Sequence, residues 1–361
     1  PEFDELYVKY ENSKKIKYKI TVKTRDLFSS LVKERLETGR IYILNVDNVN
    51  TYGSWNDKVN MTNLCVEVTQ AVEPLKDIND PDSEIGICVL SAINWMEIRM
   101  LDEIINIQDY FDTAARNFCQ GKRSLGIGIT NLAAFLAHNK VKYSDKEALN
   151  LVDEWMEKQQ YYLTKASINL AKEYGSCVKF KSSKYSNNWL PIDKEYKDSL
   201  VSRKPSMPWE ELRKELKQWG MRHATLTCEM PVESSSATQN VTNGVEPVRA
   251  LLSYKSSKKS SIPQLVPNIK SDKQYYELAF DMKDNIGYLN ICNVIQRWMD
   301  MSMSTNQYFN PANYEDKKIP YTQIIKEMIH FFKHGGKSLY YLNSADGNQH
   351  FEKEAACSAG G

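Results

Sequence analysis

The stretch EIGICVLSAINW at residues 84–95 is a continuous apolar run of strand type. A run of this kind favours burial on both faces, as in the strands of a parallel sheet. Helical periodicity follows at 99–120 and again at 144–174, and another strand-like segment lies at 338–347. Buried strands with helices between them predict an α/β architecture.

Other segments extend this pattern in both directions along the chain. Strand-like sequence lies at 39–50, after a turn glycine, and at 224–230. The 3.6-residue period of an amphipathic helix is found in several more segments. These are 3–37 with a break near Val22 and Lys23, 208–219, 274–282, 288–306 and 321–336.

The composition is that of an ordinary soluble globular protein. The chain has 361 residues, 42% of them hydrophobic and 26% charged, with a formal net charge of +1. This balance gives no reason to expect nucleic acid or an anionic membrane as a partner. No apolar run is as long as a membrane span, and no signal peptide precedes PEFDELYVKYE at the start, which is typical of mid-domain sequence. We therefore expect a fragment or a processed half of a longer protein.

The cysteines favour a reducing, cytoplasmic compartment. There are seven, an odd number at wide spacings and without a CxxC pair, which argues against a secreted disulfide framework and a cysteine zinc site. His330 and His334 lie four residues apart on a predicted helix, but no third ligand accompanies them. A solvated helix face is favoured over a metal pair there, and we predict no metal site.

The segment TNLCVEV at 62–68 alternates polar and aliphatic residues. In an extended chain Asn63, Cys65 and Glu67 would share one face, because successive side chains point to opposite sides. An amide, a thiol and a carboxylate brought together in this way would suit a reactive site. A half-buried strand with one polar face explains the same pattern, and this second interpretation is favoured for the segment alone.

Two further stretches indicate a function only when they are considered together with the other segments, because each alone has an ordinary structural explanation. MPVESSS at 230–236 would present backbone N–H groups to an anion such as a diphosphate if a helix begins there, with Ser234 or Ser235 as the N-cap. A plain serine N-cap is the equal alternative. Tyr340 and Tyr341 are adjacent on a strand-like segment, where alternation favours one core and one surface tyrosine.

These pieces, taken in order, resemble the large catalytic subunit of aerobic class I ribonucleotide reductases, in its bacterial or phage form. The stretches that carry the resemblance are PEFDELYVKYE, TGRIYILNVDN, NLCVEV, ICVLSAIN, RSLGIGITNLAAFLA, QYYLTKASINLAKEYG, MPVESSSATQNVTNGVEP and SLYYLNSADG. They span nearly the whole chain but only the C-terminal half of that subunit. The resemblance implies the second half of a ten-stranded α/β barrel over residues 1–347. It also implies a central finger loop at about 51–75, a helical and irregular insertion at about 144–222, and a flexible redox tail at 348–361.

The resemblance assigns roles around the finger loop. Cys65 matches the cysteine that becomes a thiyl radical and removes the ribose 3′ hydrogen. Glu67 matches the carboxylate that takes the 3′-hydroxyl proton, and Asn63 matches the amide that binds the substrate hydroxyls. The neighbouring residues Leu64 and Val66 complete the substrate-binding segment.

The resemblance also implies electron and radical transfer. Tyr340 and Tyr341 match a stacked pair that relays the radical to Cys65, which overrules simple alternation. Cys88 matches one of the two cysteines that reduce the substrate, and its partner would lie in the N-terminal half. Cys357 matches the first of two tail cysteines that pass electrons inward, and the sequence stops where the second is expected, so it is either clipped or impaired in re-reduction.

The stretch MPVESSS matches the loop that binds the substrate diphosphate. The candidate residues are Pro231, Val232, Glu233, Ser234 and Ser235. Most members of the family have serine at the position of Val232, so one side-chain contact to the diphosphate is in doubt.

The implied reaction is the reduction of ribonucleoside diphosphates to 2′-deoxyribonucleoside diphosphates. It implies no cofactor bound by this chain. The radical would come from a small subunit with a di-iron/tyrosyl centre, electrons from thioredoxin or glutaredoxin, and the rest of the barrel from an N-terminal half. Two alternatives are a non-catalytic remnant or assembly scaffold that keeps the fold, and a cobalamin-dependent reductase of the same barrel family.

Overall fold

The computed structural model describes residues 2–93, 99–196, 199–256 and 261–345. Cys357, the predicted tail at 348–361 and the end of the 338–347 segment lie outside these residues. Among the described helices, none is long and apolar enough to cross a membrane.

Helices account for most of the regular structure. The α-helices in chain order, α1 to α12, are Glu2–Glu11, Thr24–Thr38, Val46–Tyr52, Arg99–Ile107, Thr113–Lys122, Leu132–His138, Lys146–Tyr174, Trp209–Trp219, Glu233–Gln239, Ile269–Asp272, Ile286–Trp298 and Tyr321–Lys333. Short 3₁₀ turns lie at Phe180–Ser182, Lys184–Asn187, Pro191–Asp193, Lys273–Tyr275, Pro311–Asn313 and Glu315–Lys317.

The strands form three small sheets. Strands β1 to β7 are Ile43–Leu44, Leu90–Ile93, Gly126–Ile129, Leu252–Ser256, Ser261–Leu265, Thr305–Phe309 and Ser338–Ser344. The first sheet has the order β1-β7-β6, with β6 parallel and β1 antiparallel to β7. Strands β2 and β3 pair in parallel, and β4 and β5 form an antiparallel hairpin. Parallel strands together with long helices confirm the predicted α/β class.

The extended segment at residues 224–230 lies between the two pairs of parallel strands, β2 with β3 and β6 with β7. Backbone bonds link Leu125 N–H to Thr225 O and Ile127 N–H to Leu226 O, so this segment runs beside β3. A parallel bridge then links Glu229 to Met303, just before β6. The described residues form no closed barrel, so the ten-stranded barrel with its finger loop stays a prediction, as do the predicted domain bounds.

The helix predictions were correct where the amphipathic period was long. Helices α7, α8 and α12 confirm the segments at 144–174, 208–219 and 321–336. The segment 288–306 is helical only to Trp298, and 274–282 is not helical beyond a short 3₁₀ turn, so those two predictions were wrong in whole or part. Tertiary bonds, described below, compete successfully with helix propensity in the stretch after Trp298.

Two strand predictions were also too long. The segment 39–50 contains only the two-residue β1 and then becomes α3. In the run at 84–95 the assigned strand is β2 alone, and residues 94–98 lie outside the described part. Exposure alternates along this run: Cys88 and Leu90 are exposed, whereas Val89 is buried. The expected burial on both faces is therefore wrong, because one face of this segment is left uncovered by the described residues.

The main core lies between α7 and α11. Trp298 at the end of α11 is fully buried, stacks on Trp209 of α8 at a centroid distance of 5.8 Å, and donates a hydrogen bond to Asp153 of α7 at 2.8 Å. The Arg203 guanidinium forms ion pairs with the carboxylates of Asp153 and Glu157, with nitrogen–oxygen distances of 2.7 and 2.6 Å. Paired charges of this kind compensate for burial. The irregular segment around Arg203, which follows α7 in the chain, is therefore packed against that helix.

The turn that follows α11 is held by buried charged groups. Lys337 donates to the carbonyl oxygens of Asp300 and Met301 at 3.0 and 2.8 Å, and Lys194 donates to those of Arg297 and Met299 at 2.9 and 2.7 Å. The Asp300 carboxylate accepts hydrogen bonds from Tyr185 and from the backbone of Leu226, both at 2.7 Å. These contacts end the helix and fix the course of residues 299–304.

Replacing Gly287 by alanine tests the close approach of α11 to the loop before α7. A Cβ atom at Gly287 would lie 2.8 Å from Ser144 Cα and 3.0 Å from Tyr143 O. Because these are backbone atoms, Gly287→Ala should lower the free energy of unfolding by about 1–3 kcal/mol. Urea denaturation followed by tryptophan fluorescence measures the change.

The matched control is Gly121→Ala in α5. Its Cβ would meet only the flexible methylene groups of Lys179, at 3.2–3.4 Å. We expect a change below about 1 kcal/mol, since alanine also favours the helix. Equal stability of the two variants would contradict the close packing at Gly287.

Candidate active site

The segment around Cys65 is a turn rather than the extended strand that alternation suggested. Val66 N–H donates to Asn63 O at 3.1 Å, and Val66 has φ 64°, in the left-handed region. The expected separation of polar and aliphatic faces is wrong: Leu64 is 71% exposed, whereas Val66 and Glu67 are buried together. The turn brings the polar groups together by a different route.

A left-handed backbone at a β-branched residue is strained, and such residues persist only where neighbouring groups hold them. Ser338 of β7 donates a hydrogen bond to Val66 O at 3.0 Å. The backbone N–H of Ser302 donates to Glu67 O at 2.9 Å. Strained residues of this kind cluster at functional sites, and this one lies between Cys65 and Glu67.

Hydrogen bonds join Asn63 to Glu67 within the turn. Asn63 Nδ2 donates to Glu67 Oε1 at 2.8 Å, and Asn63 Oδ1 accepts from Val68 N–H at 3.0 Å. Ser304 Oγ lies 3.0 Å from Glu67 Oε2. Burial raises the pKa of the Glu67 carboxyl above its ordinary value, and the bonds from Asn63 and Ser304 offset this only in part. A carboxylate whose pKa is raised is a stronger base than an ordinary one, which suits it to accept a proton from a bound substrate group.

The Cys65 thiol is buried beneath the turn. Only 7% of the residue is exposed, and it packs in one cluster with Val66 and Tyr340. The Tyr340 hydroxyl donates to Cys65 Sγ at 3.6 Å. Asn63 Nδ2 also lies 3.9 Å from Cys88 Sγ, so the amide bridges the carboxylate and a second thiol. Asn63, Cys65, Glu67 and Cys88 therefore converge.

The two adjacent tyrosines are in direct contact despite their alternation on β7. Their ring centroids are 4.1 Å apart and the planes are inclined by 48°. Tyr340 is buried and Tyr341 is partly exposed. The contact forms a continuous path of hydroxyl-bearing groups from the surface to Cys65.

A third ring, Tyr42, was missed by sequence reasoning. Its centroid lies 4.6 Å from that of Tyr340 and 5.4 Å from that of Tyr341. Burial, and then a hydrogen bond with Tyr341, raises the pKa of Tyr42 above its ordinary value. The antiparallel pairing of β1 with β7 aligns Ile43 with Leu339 and so brings Tyr42 opposite the pair. No local signal in the sequence shows that pairing.

The stretch MPVESSS lies beside the turn at residues 63–68, which is called the finger turn after the loop predicted for it. Val232 and Met230 share a buried cluster with Val68. Helix α9 begins at Glu233 with Val232 as its N-cap, so Ser234 and Ser235 are exposed residues of the first turn. The expectation that one of these serines caps the helix is wrong. Pro231, Val232 and the first-turn residues still surround backbone N–H groups that a helix leaves without internal acceptors.

No group of three or more metal-ligating side chains occurs among the described residues. His330 and His334 have ring centroids 4.2 Å apart, and His330 Nε2 contacts Asn290 at 2.6 Å. Six cysteines fall in the described part, and none of them forms a disulfide.

The sequence model of the ribonucleotide reductase barrel domain matches residues 1–342. This chain belongs to that family. It is 41% identical to the ribonucleoside-diphosphate reductase subunit alpha of Haemophilus influenzae over 371 aligned positions, covering 98% of this chain and 49% of the relative. The ribonucleoside-diphosphate reductase 1 subunit alpha of Escherichia coli is 40% identical, with 96% of this chain and 48% of the relative covered. The ribonucleoside-diphosphate reductase subunit alpha of Enterobacteria phage T4 is 37% identical, again with 96% and 48% covered. The chain spans about half the length of the curated relatives it matches.

Replacing Glu67 by glutamine should make this barrel domain more stable at neutral and alkaline pH. Because the folded-state pKa of Glu67 is raised, the folded protein keeps a proton that the unfolded chain loses above the ordinary value of 4.5. Stability then falls with rising pH, by up to about 1.4 kcal/mol per unit, until the raised pKa is passed. Glutamine avoids this loss while keeping the hydrogen bonds to Asn63 and Ser304.

Chemical denaturation between pH 4 and pH 8 checks the sign. The advantage of Glu67→Gln over the parent should be absent at the acid end and grow with pH. The control is Glu195→Gln at an exposed position, which should show no pH-dependent difference. A constant or shrinking advantage for Glu67→Gln would contradict the raised pKa.

Proposed function

We propose that this chain is the catalytic C-terminal half of a ribonucleoside-diphosphate reductase α subunit. In this role it reduces ribonucleoside diphosphates to 2′-deoxyribonucleoside diphosphates by thiyl-radical chemistry. The observation that carries the proposal is the convergence of Cys65, Glu67 and Asn63 on one turn, with the Tyr340 hydroxyl 3.6 Å from the Cys65 sulfur. Family membership and the names of the relatives support the same reaction.

Each of the three finger residues has a role that its surroundings favour. Cys65, as a thiyl radical, removes the 3′ hydrogen of the ribose. Glu67 takes the proton of the 3′-hydroxyl group, for which its raised pKa is suited. Asn63 hydrogen-bonds the substrate hydroxyls and orients Glu67. The buried position of Cys65 limits side reactions of the radical with solvent.

Tyr340 and Tyr341 carry the radical from a small subunit to Cys65. Ring contact at 4.1 Å and the hydroxyl contact to sulfur supply the short steps that hopping requires. A non-catalytic scaffold would need neither contact. A cobalamin-dependent reductase would need no tyrosine relay, so this geometry favours the class I reaction over both alternatives.

The diphosphate of the substrate binds at Pro231 to Ser235, next to the finger turn. Backbone N–H groups at the start of α9 and the serine hydroxyls are the donors, and Val232 has no side-chain donor of its own. Leu64 and Val66 line the substrate beside the reactive residues. Cys88 supplies one reducing thiol, and Cys357 belongs to the tail that accepts electrons from thioredoxin or glutaredoxin.

An N-terminal half completes the site. Cys88 and Leu90 are exposed on an alternating segment, and Leu64 at the tip of the finger turn is 71% exposed. Exposed apolar groups beside reactive ones favour coverage by another protein surface. That half supplies the partner thiol of Cys88 and the opposite barrel wall, and a separate small subunit supplies the radical.

The isolated chain should have no reductase activity. Mixing it with an N-terminal half, a radical-bearing small subunit and thioredoxin should restore conversion of a ribonucleoside diphosphate, measured by chromatography. Cys65→Ser should abolish turnover in that mixture while binding of the diphosphate stays within about 1 kcal/mol, because the change is nearly isosteric. Robust activity of the isolated chain, or of the serine variant in the mixture, would refute the assignment.

Removing either relay hydroxyl should stop catalysis without weakening substrate binding. Tyr340→Phe and Tyr341→Phe keep the ring and its packing, but phenylalanine has no O–H group to release a proton and an electron. Turnover and equilibrium binding of a ribonucleoside diphosphate are measured on the same assembled samples.

The matched control is Tyr162→Phe on α7, an exposed tyrosine outside the cluster of Cys65, Tyr42, Tyr340 and Tyr341, which should keep parental turnover. Near-normal turnover of either relay variant would show that the radical takes another path. A joint loss of binding and turnover would make these tyrosines structural.

A further inference from the structure

Ser304 lies beneath the finger turn and touches two of its reactive residues. Its Oγ is 2.6 Å from the backbone carbonyl oxygen of Cys65 and 3.0 Å from Glu67 Oε2. The side chain is nearly fully buried, with 6% of the residue exposed. Its own N–H donates to Glu229 O at 2.9 Å, so the backbone holds the hydroxyl in place.

The two contacts of Ser304 cannot both be donated by the serine. A hydroxyl group has one hydrogen and can accept through its lone pairs. Both contacts are hydrogen bonds at once only when Glu67 is protonated, so that Glu67 donates to Ser304 and Ser304 donates to the Cys65 carbonyl. When Glu67 is ionised, the serine hydrogen must turn to the carboxylate, because two oxygen lone pairs would otherwise face each other at 3.0 Å.

We propose that Ser304 is a positioning residue whose hydroxyl hydrogen moves between the Glu67 carboxylate and the Cys65 carbonyl as Glu67 loses and gains a proton. The proposal rests on the proposed function, in which that proton comes from the 3′-hydroxyl group of the substrate. The proton passes from the substrate oxygen to the carboxylate, and the serine O–H only rotates. No electron is transferred in this step.

The exchange links the acid–base residue to the backbone of the radical residue. With Glu67 ionised, Ser304 stabilises the carboxylate by a charge-assisted bond. When Glu67 is protonated, it donates a hydrogen bond to Ser304, and Ser304 in turn donates one to the backbone carbonyl of Cys65. Cys65 is therefore fixed most firmly once the proton has left the substrate.

Several other titratable groups face the same site. Glu229 and Cys228 approach Glu67 from the segment before α9, and burial raises the pKa of each above its ordinary value. Cys88 Sγ lies 3.9 Å from the Asn63 amide, and the Tyr340 hydroxyl lies 3.6 Å from Cys65 Sγ. A pH effect must therefore be assigned to Glu67 by a variant rather than assumed.

Infrared titration of the assembled complex tests the hydrogen exchange directly. The infrared band of the protonated carboxyl is assigned to Glu67 because it is lost in Glu67→Gln. The midpoint is the pH at which half of this band has disappeared, and it is measured in the parent complex and in Ser304→Ala. Ser304→Ala leaves a buried carboxylate oxygen without its donor, which costs more than the neutral bonds that the protonated carboxyl loses, so the midpoint should rise, by about one pH unit at most. In turnover assays kcat should fall about tenfold or more, its acid limb should move upward in parallel, and KM should stay within about twofold.

Ser304→Thr keeps the hydroxyl and should restore the parental midpoint. Ser183→Ala is the matched control: its buried hydroxyl also contacts two backbone carbonyls, at 3.2 and 2.7 Å, but away from Glu67. If Ser304→Ala fails to assemble, as judged by thermal melting, Ser304→Cys replaces it, since a thiol is a weak donor and should shift the midpoint in the same direction.

An unchanged midpoint in Ser304→Ala or Ser304→Cys, or an equal shift in Ser183→Ala, would overturn the proposal. A fall in kcat without movement of the acid limb and without rescue by threonine would also overturn it, leaving a structural serine. The infrared midpoint needs no turnover. Absence of reductase activity in the parent complex would therefore refute the proposed function while the role of Ser304 is still decided.

Discussion

Asp300, Lys194 and Lys337 meet at the end of α11, in a region from which water is excluded. Burial raises the pKa of Asp300 and lowers that of Lys337, and it lowers the pKa of Lys194 to about 7. Buried charges are tolerated only when polar partners replace water. Here the partners are the carbonyl oxygens of residues 297 and 299–301, a backbone N–H and the Tyr185 hydroxyl. Satisfying these groups fixes one backbone path through the turn, and the site is built on that path.

The fixed turn after α11 also shapes the turn at residues 63–68. Residues 302–304 follow α11 closely and contact this turn through the backbone of Ser302 and the side chain of Ser304. Ser302 holds Glu67 O, Ser304 reaches the Glu67 carboxyl and Cys65 O, and Ser338 on β7 holds Val66 O. Together these bonds stabilise a valine with positive φ, which costs about 1–2 kcal/mol for an L-residue with a side chain. The strain is acceptable because it brings Asn63 and Glu67 into hydrogen-bond contact within five residues.

The side of the site opposite this support is open. The tip at Leu64 and the thiol of Cys88 face outward, whereas Cys65 and Glu67 are buried against the 302–304 segment. One wall is thus packed and the other lacks cover from the described residues. The family's longer subunits, of which this chain spans about half, give the open side a natural explanation in the proposed N-terminal half.

The sequence by itself determined the α/β class, the long helices α7, α8 and α12, and the set of candidate reactive residues. Those features are local: an amphipathic period sustained over several turns, or reactive groups in a recognisable spacing. The tertiary structure alone decided that residues 62–68 turn back instead of extending, that Tyr42 joins the tyrosine pair, and that Ser304 supports Glu67. The physical reason is sequence distance. Ser304 and Glu67 are 237 residues apart, so their hydrogen bond leaves no periodic trace in the chain and exists only once the turn after α11 has been fixed.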